Sequence, residues 1–194
     1  TFGVGQDKAQ FLTSAFLATT VASLLANTWL IARFGQPIIF QACIIIFVIG
    51  SFISTFSPTL DMIIFGRIVQ GFGAGVIQPL IMVLLFDIFP ADKRGIAMGF
   101  FSMGVGFALG LAPALGGVVI DLLGWRYVFL IPIPVALLSL VLGVFFIPER
   151  KSRGPAGNFD YLGYALMCSF VFCLMTILGN GQRWGWASND VALL

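Results

Sequence analysis

Apolar runs, each long enough for a helix to cross about 30 Å of hydrocarbon, alternate along this chain with short clusters of Pro, Gly and charged residues. Six runs stand out, near 11–32, 37–57, 60–86, 95–120, 127–147 and 161–180. Their connections are brief: Gly35-Gln36-Pro37, Ser57-Pro58, Pro90-Ala91-Asp92 and Leu123-Gly124-Trp125, with one longer segment from Pro148 to Asp160. The pattern predicts an all-α membrane protein, a polytopic transmembrane helix bundle. Residues 1–147 form its main body, 148–160 a loop, and 161–194 an additional span with an outer turn.

Composition points the same way. Hydrophobic residues are 59% of the chain and charged residues 9%, against roughly 25% charged in soluble domains. A net charge of +2 is too small to suggest a nucleic-acid partner. There is no His, and Cys43, Cys168 and Cys173 lie inside apolar runs without metal-ligand spacing, so they read as small core hydrophobes. No Gly-rich phosphate loop follows a strand, so no cofactor is expected. The polar start without an initiator Met and the apolar VALL end suggest a piece of a longer polypeptide.

Basic residues set the orientation. Loops after the first, third and fifth runs carry Arg33, then Lys93 and Arg94, then Arg150, Lys151 and Arg153. The other side holds Lys8, Arg126 and Arg183. Six against three places the first set in the cytoplasm and residue 1 outside.

Against this apolar background Arg67 stands out, about five residues inside the third run. An Arg near a bilayer centre costs about 2.5–3.5 kcal/mol on insertion scales. At 100° per residue it shares a face with Gly71, Ala74 and Gln78. Two readings fit: an Arg snorkelling to the headgroups, or a buried, paired Arg facing protein or water. Gly71, Gly73 and Gly75 favour the second, because they permit close backbone approach in a bundle.

In the first run Thr13, Thr20 and Asn27 recur every seven residues on one face. With Phe16 they are candidates for a substrate path, or else hydroxyls bonded back to their own helix. The fourth run pairs Gly95 with Gly99 and Gly106 with Gly110, then bends at Pro113 before Gly116 and Gly117. Small residues at that spacing let backbones touch, and the Pro reads as a static kink or a moving hinge. Trp125, Arg126 and Tyr127 suit an outer-interface anchor, and Asp160 suits a helix N-cap.

Together these signatures resemble the major facilitator superfamily. Leu30, Arg33, Phe34 and Gly35 look like its loop motif between helices two and three, and Arg67, Gln70, Gly71, Gly73, Ala74 and Gly75 like its helix-four motif. Pro113 to Gly117 looks like the helix-five antiporter motif, and Trp125 to Phe129 like the turn into helix six. Asp160-Tyr161-Leu162-Gly163, opening an extra helix, and the Gly- and Trp-rich turn after it resemble the fourteen-helix drug:proton antiporter branch. The resemblance implies helices two to seven of such a protein, with helix one absent. Four positions depart from the pattern: Ala32 where the loop motif usually has an acid, Ala108 and Ala112 where the helix-five motif has Gly, and Pro132 where an Asn is common.

The resemblance implies a secondary active exporter of drugs or other hydrophobic or cationic small molecules, coupled to protons by alternating access, in the bacterial inner membrane. Its expected partners are lipid, substrate, protons and a periplasmic adaptor. Arg67, Gly71 and Gln78 are the expected coupling residues, and Leu30, Arg33, Gly35, Pro113, Gly116 and Gly117 the gating motif. Asp61, Asp87, Asp121 and Asp160 all sit near helix ends, so the coupling acid is expected on a helix outside this chain. The alternative is a proton-coupled importer or facilitator of sugars or other nutrients. A membrane enzyme or non-transport subunit lacks the residues that intramembrane chemistry needs.

Overall fold

The computed structural model describes residues 6–147 and 159–184, with side chains for 12–147 and 159–177. Among them all regular structure is helical: α1 (Gln6–Phe34), α2 (Gln36–Thr55), α3 (Leu60–Ile88), α4 (Arg94–Leu122), a 3-10 turn (Trp125–Phe129), α5 (Pro132–Phe146) and α6 (Tyr161–Trp184). The six expected spans follow in order. Leu12–Phe34, Gln36–Thr55, Leu60–Ile88, Arg94–Leu122 and Trp125–Phe146 are long and apolar enough to cross a membrane. The part of α6 with described side chains, Tyr161–Ile177, is apolar but shorter.

The fifth run is not one helix. Pro132 has no N–H to donate and a fixed φ, so the chain makes the 3-10 turn first and α5 restarts at that residue. Elsewhere the expected signals act as read. Gly35 takes φ 85°, a value that a Cβ disfavours, and its N–H donates to the Ile31 carbonyl at 2.9 Å, closing α1. Thr59 caps α3 by accepting the Met62 N–H at 3.3 Å. Asp160 Oδ1 accepts the Gly163 N–H at 2.8 Å, capping α6.

Packing centres on α3, which lies along α2 on one side and α1 on another. Both contacts are backbone-close because glycines form them. A Cβ on Gly66 would meet the Ser54 hydroxyl and the α2 backbone; one on Gly75 would meet the Thr20 carbonyl of α1. Toward the C-terminal end of α3, Ile39, Cys43, Val76, Leu80 and Leu84 make an apolar core, flanked by Leu30, Ile31 and Phe40. Toward its N-terminal end the α2–α3 seam turns polar, with Ser51, Ser54 and Gln70 buried.

α5 packs on α2, and α6 on α1. Tyr164 Oη donates to the Ala22 carbonyl at 3.2 Å, and the rings of Trp29 and Phe159 meet edge-on with centroids 5.0 Å apart. α4 behaves differently from the sequence expectation. It runs unbroken through Pro113, only Ala97 on it is buried, and a Cβ on Gly95, Gly99, Gly106, Gly110, Gly116 or Gly117 would meet nothing within 4 Å among the described residues. The close backbone contact that its glycine spacing suggests is found instead between α2 and α3.

Candidate functional site

The site is built on the N-terminal half of α3. Thr59 starts that helix, and two faces of small residues seat it between α1 and α2, leaving Arg67 on the stripe between those faces. Arg67 is half-buried. Its Nη1 donates to Gln70 Oε1 at 2.9 Å. Its Cζ lies 5.2 Å from the centre of the Phe16 ring on α1 and 5.1 Å from that of Phe129 in the 3-10 turn. Its Nε is buried without a hydrogen-bond acceptor.

Gln70 is itself held. Its Nε2 donates to Ser51 Oγ at 2.8 Å, and Ser51 donates in turn to the Phe47 carbonyl at 3.0 Å. Gln70 is 3% exposed and Ser51 0%. Among the described residues, the groups touching the guanidinium are neutral: an amide oxygen and two ring faces, whose quadrupoles attract a cation without cancelling its charge. An Arg keeps its proton at any physiological pH. The site can attract and orient an anion, but Arg67 cannot shuttle a proton.

The remaining expected residues fall in several places. Gly71 lies against the Phe16 carbonyl, Thr19 and Thr20, joining the Arg67 stripe to α1. Gln78, two turns further along, is exposed and away from the Arg67 network. Phe16 touches Arg67, whereas Thr13 is exposed. Thr20 faces α3, and its hydroxyl donates back to the Phe16 carbonyl at 2.7 Å; Thr19 and Ser23 make the same back-bond to Ala15 and Thr19. Asn27 is buried, with Oδ1 lacking a donor. Leu30 packs on the apolar core, Arg33 is exposed in the last turn of α1, and Gly35 makes the turn. Pro113, Gly116 and Gly117 lie on α4, well apart in sequence from all of these.

Sequence reasoning gives three participants no role in the site. Gln70 reads only as part of the helix-four motif, although it stands one helical turn from Arg67. Ser51 is one of the hydroxyls in an otherwise apolar α2, and Phe129 belongs to the turn read as an interface anchor. A second polar link lies at the C-terminal end of α3, where Gln36 Nε2 donates to Asp87 Oδ2 at 2.8 Å. Beside it Arg94 Nη2 donates to the Phe86 carbonyl at 2.9 Å, capping α3. A cleft of about 620 Å³ opens between α1, α3 and α6, lined by Ala15, Ala18, Ile68 and Phe172 among others.

Residues 1–188 match the Major Facilitator Superfamily. Among curated proteins, the multidrug export protein EmrB of Haemophilus influenzae is 29% identical over 193 residues, covering 99% of this chain and 38% of that protein. The MFS-type transporter YcnB of Bacillus subtilis is 33% identical over 196 residues, covering 99% and 40%. The tetracenomycin C resistance and export protein of Streptomyces glaucescens is 30% identical over 177 residues, covering 91% and 33%. The chain thus spans little more than a third of the length of these relatives.

Proposed function

Because this chain belongs to the Major Facilitator Superfamily and is a multi-pass integral membrane protein, we propose that it supplies part of a secondary active exporter. That exporter carries drugs or other hydrophobic or cationic small molecules outward in exchange for protons, by alternating access, in a bacterial inner membrane. Residues 1–147 would form most of the N-terminal bundle, 148–160 a cytoplasmic loop and 161–194 an additional helix. The names of relatives, a multidrug export protein and a tetracenomycin C resistance and export protein, support the direction and the substrate class. A periplasmic adaptor belongs to the same reading.

The observation that carries the proposal is the unneutralised guanidinium of Arg67, engaged by Gln70, Phe16 and Phe129. Two unit charges 4 Å apart attract by about 4 kcal/mol at an effective dielectric of 20. A carboxylate arriving there from another helix would favour its ionised form, and one moving away would regain its proton. Helix motion is thereby tied to proton release and uptake, which is the coupling an antiporter needs. A cationic substrate entering the same space competes with Arg67 for that carboxylate.

Proton-driven efflux by the whole transporter tests this. Arg67→Ala is expected to lower efflux by about tenfold or more, equivalent to about 1.4 kcal/mol or more. Arg67→Lys is expected to keep part of it, since the charge stays but the planar fork is lost. Normal proton-driven efflux by Arg67→Ala overturns the proposal.

A further inference from the structure

We propose that Gln70 is a positioning residue whose neutrality is essential: it gives Arg67 an acceptor in a fixed place without giving it a counter-ion. This rests on the reading of Arg67 above and adds to it the residue that keeps the charge available.

The direction of the amide follows from the network. Ser51 commits its only proton to the Phe47 carbonyl at 3.0 Å, so toward Gln70 it can only accept. Gln70 must then present Nε2 to Ser51, at 2.8 Å, and Oε1 to Arg67, at 2.9 Å. Rotating the amide would set its N–H against a guanidinium N–H and its oxygen against a Ser51 lone pair, two mismatches in a site with Gln70 3% exposed. The backbone is equally constrained, because Gly50 brings α2 against the Gln70 backbone.

Neutrality is the second half of the inference. A Glu in this position has the same shape, and its carboxylate would sit within hydrogen-bonding distance of a guanidinium that never loses its proton. The pair would be permanent, and Arg67 would no longer respond to an acid elsewhere. Among the described residues, the groups facing Arg67 from neighbouring elements are Phe16 and Phe129, neither of which titrates, and Ser51, which holds Gln70, does not titrate either. In the 3-10 turn, Arg126 is directed to the Ser57 carbonyl, and on α3 itself Asp61 lies in the first turn, on a different side of the helix from Arg67. Gln70 therefore decides whether the charge is free.

The test uses the whole transporter, comparing Gln70→Glu with the neutral, similarly sized Gln70→Met, and reading efflux rate, KM and pH profile. Gln70→Glu is expected to fold, hold KM within about twofold, lose about tenfold in maximal rate, and move the midpoint of the pH profile upward by about one unit. Gln70→Met is expected to slow efflux with the midpoint in place, since Arg67 loses its positioning but not its charge. Equal midpoint shifts in both variants, or wild-type behaviour of Gln70→Glu alongside an inactive Arg67→Ala, overturn the role of Gln70 and leave that of Arg67. A wild-type rate in Gln70→Met overturns the positioning role on its own. Normal efflux by Arg67→Ala removes both.

Discussion

A Cβ placed on Gly50 would lie 2.5 Å from the Gln70 nitrogen, 2.7 Å from the Gly66 carbonyl oxygen and 2.9 Å from the Gln70 Cα. Carbon atoms in ordinary contact stand about 3.5–4.0 Å apart. All three neighbours are backbone atoms of α3, so no side chain can rotate aside and the helices must part by about 1 Å. Overpacking of this kind costs about 1–3 kcal/mol. The same displacement would stretch the 2.8 Å bond from Gln70 to Ser51 beyond useful length, losing about 0.6 kcal/mol more on the average for hydrogen bonds between membrane helices. Gly50→Ala is thus expected to destabilise the protein by about 2–4 kcal/mol and to depress efflux by releasing Arg67. Thermal unfolding of the purified transporter in detergent measures the first, with Ile49→Ala as comparison. Ile49 is 48% exposed on the far side of the same helix, so its truncation should cost no more than about 0.5 kcal/mol. If Gly50→Ala unfolds where the wild type does, α2 and α3 are not in backbone contact, and the account of how Arg67 is held is wrong.

Other expected outcomes can be checked alongside. Gly35→Ala, forced to φ 85° and ψ 158°, a region essentially confined to Gly, should lose about 1–3 kcal/mol through backbone strain, read as a lower unfolding midpoint. Cys43, 3% exposed, should resist every maleimide in the folded protein. Half-buried Cys168 and Cys173, on the cleft lined by α1 and α6, should react with an apolar maleimide faster than with a charged one. Tyr164→Phe removes the bond to the Ala22 carbonyl, worth about 0.6 kcal/mol, and should speed labelling of Cys168 by roughly threefold; an unchanged rate would mean that α6 is held to α1 by its aromatic rings alone.

The spans were legible because hydrocarbon imposes a length, and the helix ends because Gly35, Thr59 and Asp160 act through bonds within a few residues. Arg67 was legible as a charge out of place. Its neighbours were not, for a definite reason: Gln70 reaches a Ser 19 positions earlier, and Phe129 arrives from 62 positions later in the chain. Such partners depend on helix register, which is fixed by where glycines let backbones meet, and glycine spacing alone does not name the partner. The glycines of α3 and α4 look alike in sequence; one set is filled by α1 and α2, while the other meets no described atom. The hydroxyls of α1 show the same limit, since periodicity gave them a shared face and could not tell a lined path from bonds back to their own helix.

That difference between the two glycine sets bears on how such a bundle can move. α3 is clamped on both sides by contacts in which backbone meets backbone, at Gly66 and Gly73 toward α2 and at Gly71 and Gly75 toward α1. Packed interiors shift between discrete arrangements and do not deform smoothly, so sliding α3 past either neighbour would drive backbone atoms into each other at several levels together. Arg67, Gln70 and Ser51 therefore travel with α1, α2 and α3 as one body. Any approach of a carboxylate to Arg67 must come from a helix that moves against this body, and the freedom for such movement lies outside it. On α4 the glycines meet no described atom, and Pro113 removes one backbone bond in the middle of the helix. A disulfide locking α2 to α3 should consequently leave transport intact, whereas restraining α4 against its neighbours should stop it; the reverse result in an efflux assay would place the moving joint inside the clamp.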